Sequence, residues 1–130
     1  MKSITGLFLF LALGLATSSL KAQTATQVDL LSFSGAGAQG VTFLYRVTDL
    51  NGAAVTAGGV EIRLCQWNAP DTCMDYCGGS VNASGQGSCK MDVNVSPGEY
   101  WLIVDYGGTP QYAPSEFRRQ VAGDGGGGIS

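Results

Sequence analysis

The sequence predicts an all-β domain: a two-sheet sandwich of about seven strands, stapled by disulfides. Three observations carry this. Apolar and polar residues alternate in short runs, with no stretch of helical spacing after residue 22. Gly, Pro and Asn clusters separate the runs at short intervals. Four cysteines follow a segment with the pattern of an export signal.

That segment is residues 1–22. Lys2 supplies the positive start, residues 7–16 (LFLFLALGLA) form an apolar run too short to span a bilayer, and Thr17-Ser18-Ser19 follows. Cleavage after Ala22 is expected, with a nearby cut as the alternative because Leu20 is an imperfect residue there. No second apolar run reaches spanning length, so no membrane span is expected in the mature chain. Removing Lys2 and Lys21 from 7 basic residues leaves 5 against 10 acidic ones, a net charge of −5. This balance argues against nucleic acid as a partner. The chain has no histidine, which excludes Ser-His-Asp and Cys-His catalysis and imidazole metal sites.

The strands follow in order. Residues 27–33 (QVDLLSF) form the first, and the small-residue run 34–40 (SGAGAQG) turns the chain. In 41–49, Val41, Phe43, Tyr45 and Val47 share one face, while Thr42, Leu44, Arg46 and Thr48 share the other. Asn51-Gly52 closes that strand because both residues tolerate positive φ. Residues 59–65 (GVEIRLC) alternate again, with Val60, Ile62 and Leu64 in phase. After the turn at 84–87 (SGQG), the run 88–95 places Cys89, Met91, Val93 and Val95 on one face. Ser96-Pro97-Gly98 leads into 99–106, and 115–121 is the last strand. These runs make one domain over 23–121. The tail, 122–130 (AGDGGGGIS), has little side chain to pack and is expected to be disordered.

Three stretches carry a family resemblance. Residues 41–55 (VTFLYRVTDLNGAAV) resemble a strand followed by a D-x-N-G turn; 83–90 (ASGQGSCK) are similar to a mid-domain glycine turn; 96–115 (SPGEYWLIVDYGGTPQYAPS) resemble a P-G-x-Y ending. Together they look like a bacterial immunoglobulin-like domain. Prealbumin-like modules of the carboxypeptidase-regulatory type share the D-x-N-G and P-G-x-Y signals and are the alternative. The resemblance implies an immunoglobulin-like sandwich used outside the cell for adhesion, as a spacer, or for binding glycans and surface proteins. It implies no catalytic residue and no cofactor. Between Cys65 and Cys89 the sequence departs from the pattern, with a cysteine-rich excursion in place of a simple loop.

Cys65, Cys73, Cys77 and Cys89 are even in number in an exported chain, so disulfides are expected. Of three pairings, strand ends favour Cys65–Cys89 with Cys73–Cys77; Cys65–Cys77 with Cys73–Cys89 is nearly as good. The phases conflict with the first: Cys65 is out of step with Ile62 and Leu64, and Cys89 is in step with Met91. A four-thiolate zinc site needs paired knuckles, and only Cys73 and Cys77 form one.

The remaining polar residues read mostly as surface. Carboxylates at Asp49, Glu61, Asp71, Asp75, Asp105 and Glu116 solvate a β-domain; calcium around Asp49 and Asn51, or Asp71 and Asp75, lacks a D-x-D-x-D-G loop. Arg118-Arg119 suits a solvated edge strand. Asn82-Ala83-Ser84 and Asn94-Val95-Ser96 match the glycosylation pattern, relevant only in a eukaryotic host.

The aromatics are the binding candidates: Trp67, Tyr76 and Tyr112 from loops, and Trp101 from a sheet face. If Tyr100, Leu102, Val104 and Tyr106 face the core, Trp101 and Ile103 face outward and could join Leu44 in an exposed patch. The expected function is a secreted, non-enzymatic interaction module in adhesion, surface assembly or carbohydrate binding, with a surface protein, a glycan or a second copy as partner. The alternative is an inhibitor or effector that presents the Cys65–Cys89 segment as a loop.

Overall fold

The computed structural model describes residues 22–34, 40–93, 95–124 and 128–130. Most of the expected export segment, the 34–40 turn and Asn94 therefore lie outside the described residues or at their margin. Seven strands form: β1 (Thr26–Ser34), β2 (Val41–Asp49), β3 (Gly59–Gln66), β4 (Ala69–Ser80), β5 (Gln86–Met91), β6 (Gly98–Tyr106) and β7 (Ser115–Gly123). They make a three-stranded antiparallel sheet, β1-β2-β5, and a four-stranded one, β4-β3-β6-β7. No helix is assigned among the described residues.

The alternation sets which faces meet. Val41, Phe43, Tyr45 and Val47 of β2 turn inward onto Ile62 and Leu64 of β3 and Leu102, Val104 and Tyr106 of β6, all buried in one core. Side chains of opposite phase point away from the core and are mostly polar, with Leu44 on the three-stranded sheet and Trp101 and Ile103 on the four-stranded sheet as apolar exceptions. β5 ends at Met91, yet Val93 and Val95 remain buried beyond it. At the first turn, the Asp49 carboxylate accepts the amides of Asn51 at 2.8 Å and Ala53 at 3.0 Å, and Gly52 has φ +87°. That carboxylate oxygen is spent on turn geometry. Among the described residues no three Cys, Asp or Glu side chains converge as metal ligands.

Five expectations change. First, the cysteine-rich excursion is a strand, not a loop: β4 pairs along β3 from Gly59↔Ser80 to Gln66↔Ala69. Its small and polar side chains gave no clean alternation because β4 is an edge strand, mostly half-exposed. The effector reading thereby loses its free loop.

Second, the disulfides are Cys65–Cys73 and Cys77–Cys89, the third of the three pairings. The strand phases explain it. Cys65 lies on the outer face, opposite Trp101, whereas Cys89 pairs in register with the buried Phe43 on the inner face of the other sheet. A Cys65–Cys89 bond would have to pass through a sheet. The register of β4 slips at Met74, since Leu64 faces Asp75 and Cys65 faces Cys73. This bulge puts Cys73 on the outer face and Cys77, opposite Ile62, on the inner one. Cys65–Cys73 therefore staples the β3–β4 hairpin, and Cys77–Cys89 joins the two sheets.

Third, Leu44 does not join Trp101 and Ile103. It belongs to the three-stranded sheet and they belong to the four-stranded one, so their outer faces look in opposite directions. Fourth, Ile103 is only 1% exposed although it has the outward phase. In register it stands between Arg63 of β3 and Arg118 of β7. Arginine stems of this length cover apolar neighbours while their charged ends stay wet. Fifth, the tail is not wholly loose: β7 runs to Gly123, which pairs with Ile129. Ala122 and Ser130 exchange two backbone hydrogen bonds of 3.0 Å, and the Ile129 side chain enters the core cluster.

Candidate functional site

The site starts from the β3–β4 hairpin. β3 buries Leu64 and turns Cys65 outward; Gln66 then pairs with Ala69, leaving Trp67 and Asn68 at the turn. The Cys65–Cys73 bond closes the hairpin just behind Trp67. Trp101, on the outer face of β6, is the register partner of Cys65. The two indoles stack, with ring centroids 4.5 Å apart and planes inclined by 19°. Trp101 is half-buried beneath the pair, and Trp67 is 39% exposed.

Trp67 also lines a cleft of about 470 Å³ at the end of the sandwich, with Gln66, Asn68, Met74, Glu99 and Tyr100 among its walls. The floor is tied down: Tyr100 donates its hydroxyl proton to the Ser96 carbonyl at 2.7 Å. Met74 is exposed because it is the bulge residue of β4, pushed out of the alternation. The stack therefore stands at a corner, with the outer sheet face on one side and the cleft on the other.

Further along the outer face the chemistry is ionic. Glu61, Asp105 and Glu116 form one cross-strand row over β3, β6 and β7. Arg63 pairs with Asp105 and lies 3.6 Å from Glu61; Arg118 pairs with Glu116 at 2.8 Å. The hydrogen bond from Arg118 holds the Glu116 carboxyl below its ordinary pKa. Tyr76 stands on this face beside Arg63, 73% exposed.

The four candidate aromatics are thus divided. Trp67 and Trp101 are in contact, and Tyr76 shares their sheet face on β4. Tyr112 lies beyond the opposite end of β6, bridged to Thr24 and packed against the core. It is no part of this corner. Gln66, Asn68, Met74 and Glu99 did not stand out in the sequence. The adjacency of Gln66 and Asn68 to Trp67 was the only available signal, and the Met74 bulge left none. Arg118 and Arg119 diverge: Arg118 joins the ionic row, while Arg119 lies over the Phe33 ring, 5.3 Å from its centroid. Comparison with protein-family models, curated proteins and solved structures gives no match.

Proposed function

We propose that this chain is an exported, non-enzymatic recognition module of the immunoglobulin-like kind, and that it binds its ligand at the Trp67–Trp101 corner. The observation that carries the reading is the stacked indole pair: a rigid aromatic surface, half-exposed, held by a disulfide-closed hairpin at the mouth of a cleft. Large aromatics fixed in place lose little freedom on binding and serve as anchors. Export is supported by the signal-like residues 1–22 and by two disulfides that an oxidising compartment would sustain.

The absence of an enzymatic role is supported by the state of the acids. On the outer face Asp105 is the direct cross-strand partner of both Glu61 and Glu116. Arg63 lies against both Glu61 and Asp105, Arg118 holds Glu116, and Glu116 has its pKa moved down. A general acid needs the opposite shift. The immunoglobulin-like resemblance, which brings no catalytic motif, fits a subunit of a surface assembly or an adhesin.

The test is to present the oxidised, signal-free protein to a glycan array and to purified outer-surface material, and to follow its own mass by light scattering over a concentration series. Retention or self-association that weakens in Trp67→Ala, with thermal stability kept, is expected. Retention or self-association that is indifferent to Trp67 and Trp101 would place the recognition surface elsewhere.

A further inference from the structure

We infer that the ligand of the Trp67 corner is an uncharged oligosaccharide, one ring stacking on the exposed face of Trp67 and its hydroxyls reaching Gln66, Asn68 and Glu99. This rests on the recognition reading above and names its ligand class. Three features of the corner converge on it.

The first is shape. An indole presents a flat, electron-rich face, which suits the weakly positive C–H face of a pyranose ring. One face of Trp67 is taken by Trp101, so the indole is held rigid while 39% of the residue stays open. The cleft beside it, about 470 Å³, lies within the range of small-ligand sites.

The second is the polar complement. The Gln66 and Asn68 amides each offer donors and an acceptor, and Glu99 offers a strong acceptor. Hydroxyl-rich ligands need this mixture around an apolar platform. Among the described residues, none of these three side chains is engaged in an internal hydrogen bond.

The third is charge and area, which exclude other occupants. The described lining holds no Lys or Arg, and its one charge is Glu99. An anionic sugar would meet a carboxylate without the cation it needs, on a chain of net charge −5 after signal removal. A protein partner needs roughly 800 Å² of contact on each side. The exposed apolar side chains here are few, Trp67, Met74 and Pro97 with parts of Trp101 and Tyr100, and the sheet face beyond carries a row of ion pairs beside Tyr76.

The experiment uses the oxidised protein from residue 23 onward. An array of neutral, N-acetylated and anionic glycans is screened, then the best soluble oligosaccharide is titrated by calorimetry and by tryptophan fluorescence. At least one uncharged glycan is expected to bind and to perturb the fluorescence. Trp67→Ala should weaken it by roughly tenfold or more, which corresponds to about 1.4 kcal/mol, and Trp67→Tyr should restore part of the loss. Glu99→Gln should weaken the neutral ligand and raise retention of anionic glycans. Binding confined to anionic glycans, or neutral binding that Trp67→Ala leaves intact, overturns the inference. If no glycan binds but Trp67→Ala abolishes self-association or retention on surface protein, the ligand class is wrong while the recognition reading stands. If neither responds to Trp67, both fall. Trp67→Tyr guards against a folding defect, since it keeps an aromatic at the turn.

Discussion

Tyr45 lies fully buried between the sheets and donates its hydroxyl proton to the Ser80 carbonyl at 3.0 Å, tying β2 to the end of β4. Burial pushes its phenol pKa up. Gly79 and Gly87 admit it: a Cβ at either would come within 2.6 Å of the Tyr45 hydroxyl, and one at Gly87 also within 2.4 Å of the Ser80 oxygen. Tyr45→Phe should lower stability by about 1 kcal/mol, the ordinary net worth of such a bond, and Gly87→Ala should do more damage because backbone has to move. Urea midpoints of the two variants check this order. At the surface, Glu116 has a depressed pKa, so the stability from its pairing is present above the unfolded pKa and is lost as pH falls through the lower folded value. Denaturation midpoints should therefore drop in acid below the usual carboxylate range. Glu116→Gln should flatten that part of the profile, and added salt should shrink the effect because the pair is exposed.

At the scale of elements, the two disulfides have different tasks. Cys77–Cys89 links the sheets across the β4–β5 edge, with 12 residues of separation. Cys65–Cys73 closes only its own hairpin, with a separation of 8. The chain-entropy estimate gives about 3 kcal/mol for the first and about 2.5 kcal/mol for the second, so stability alone hardly separates them. Function should: replacing Cys65 and Cys73 together by Ala is expected to loosen Trp67 and weaken ligand binding, whereas replacing Cys77 and Cys89 lowers the melting temperature and spares affinity in the folded fraction. Calorimetric titration beside thermal melts distinguishes the two. The C-terminal segment is a third element. Ile129 is 8% exposed within the core cluster, and Ile129→Ala should cost about 2 kcal/mol. A loose tail would show no change.

For the whole molecule, legibility followed periodicity. β2, β3 and β6 lie inside their sheets with one face buried, so alternation marked them to within a residue. β4 is an edge strand of small and polar residues, and its bulge at Met74 shifts the phase by one. No periodic signal survives such a shift, which is why the segment holding Cys73 and Cys77 read as a loop and the faces of the two cysteines stayed hidden. The out-of-step phases of Cys65 and Cys89 already argued against bonding them to each other; the partners became clear only once the sheets were assigned. The site was half legible for the same reason. Outward phase picked Trp101, but whether an outward residue is bare or covered depends on its cross-strand neighbours, and Ile103 between two arginines is covered. Tyr112 was drawn in by residue type alone, and the topology sends it to the far end.

In the oxidised protein Trp67 and Trp101 form one preorganised surface. Far-ultraviolet circular dichroism tests it most directly, because two indoles stacked at 4.5 Å couple their transitions into a paired positive and negative band. The oxidised protein should show this couplet, and Trp67→Phe and Trp101→Phe should each abolish it while the sheet signal persists. A spectrum without the couplet, or one that either variant leaves unchanged, would contradict the account.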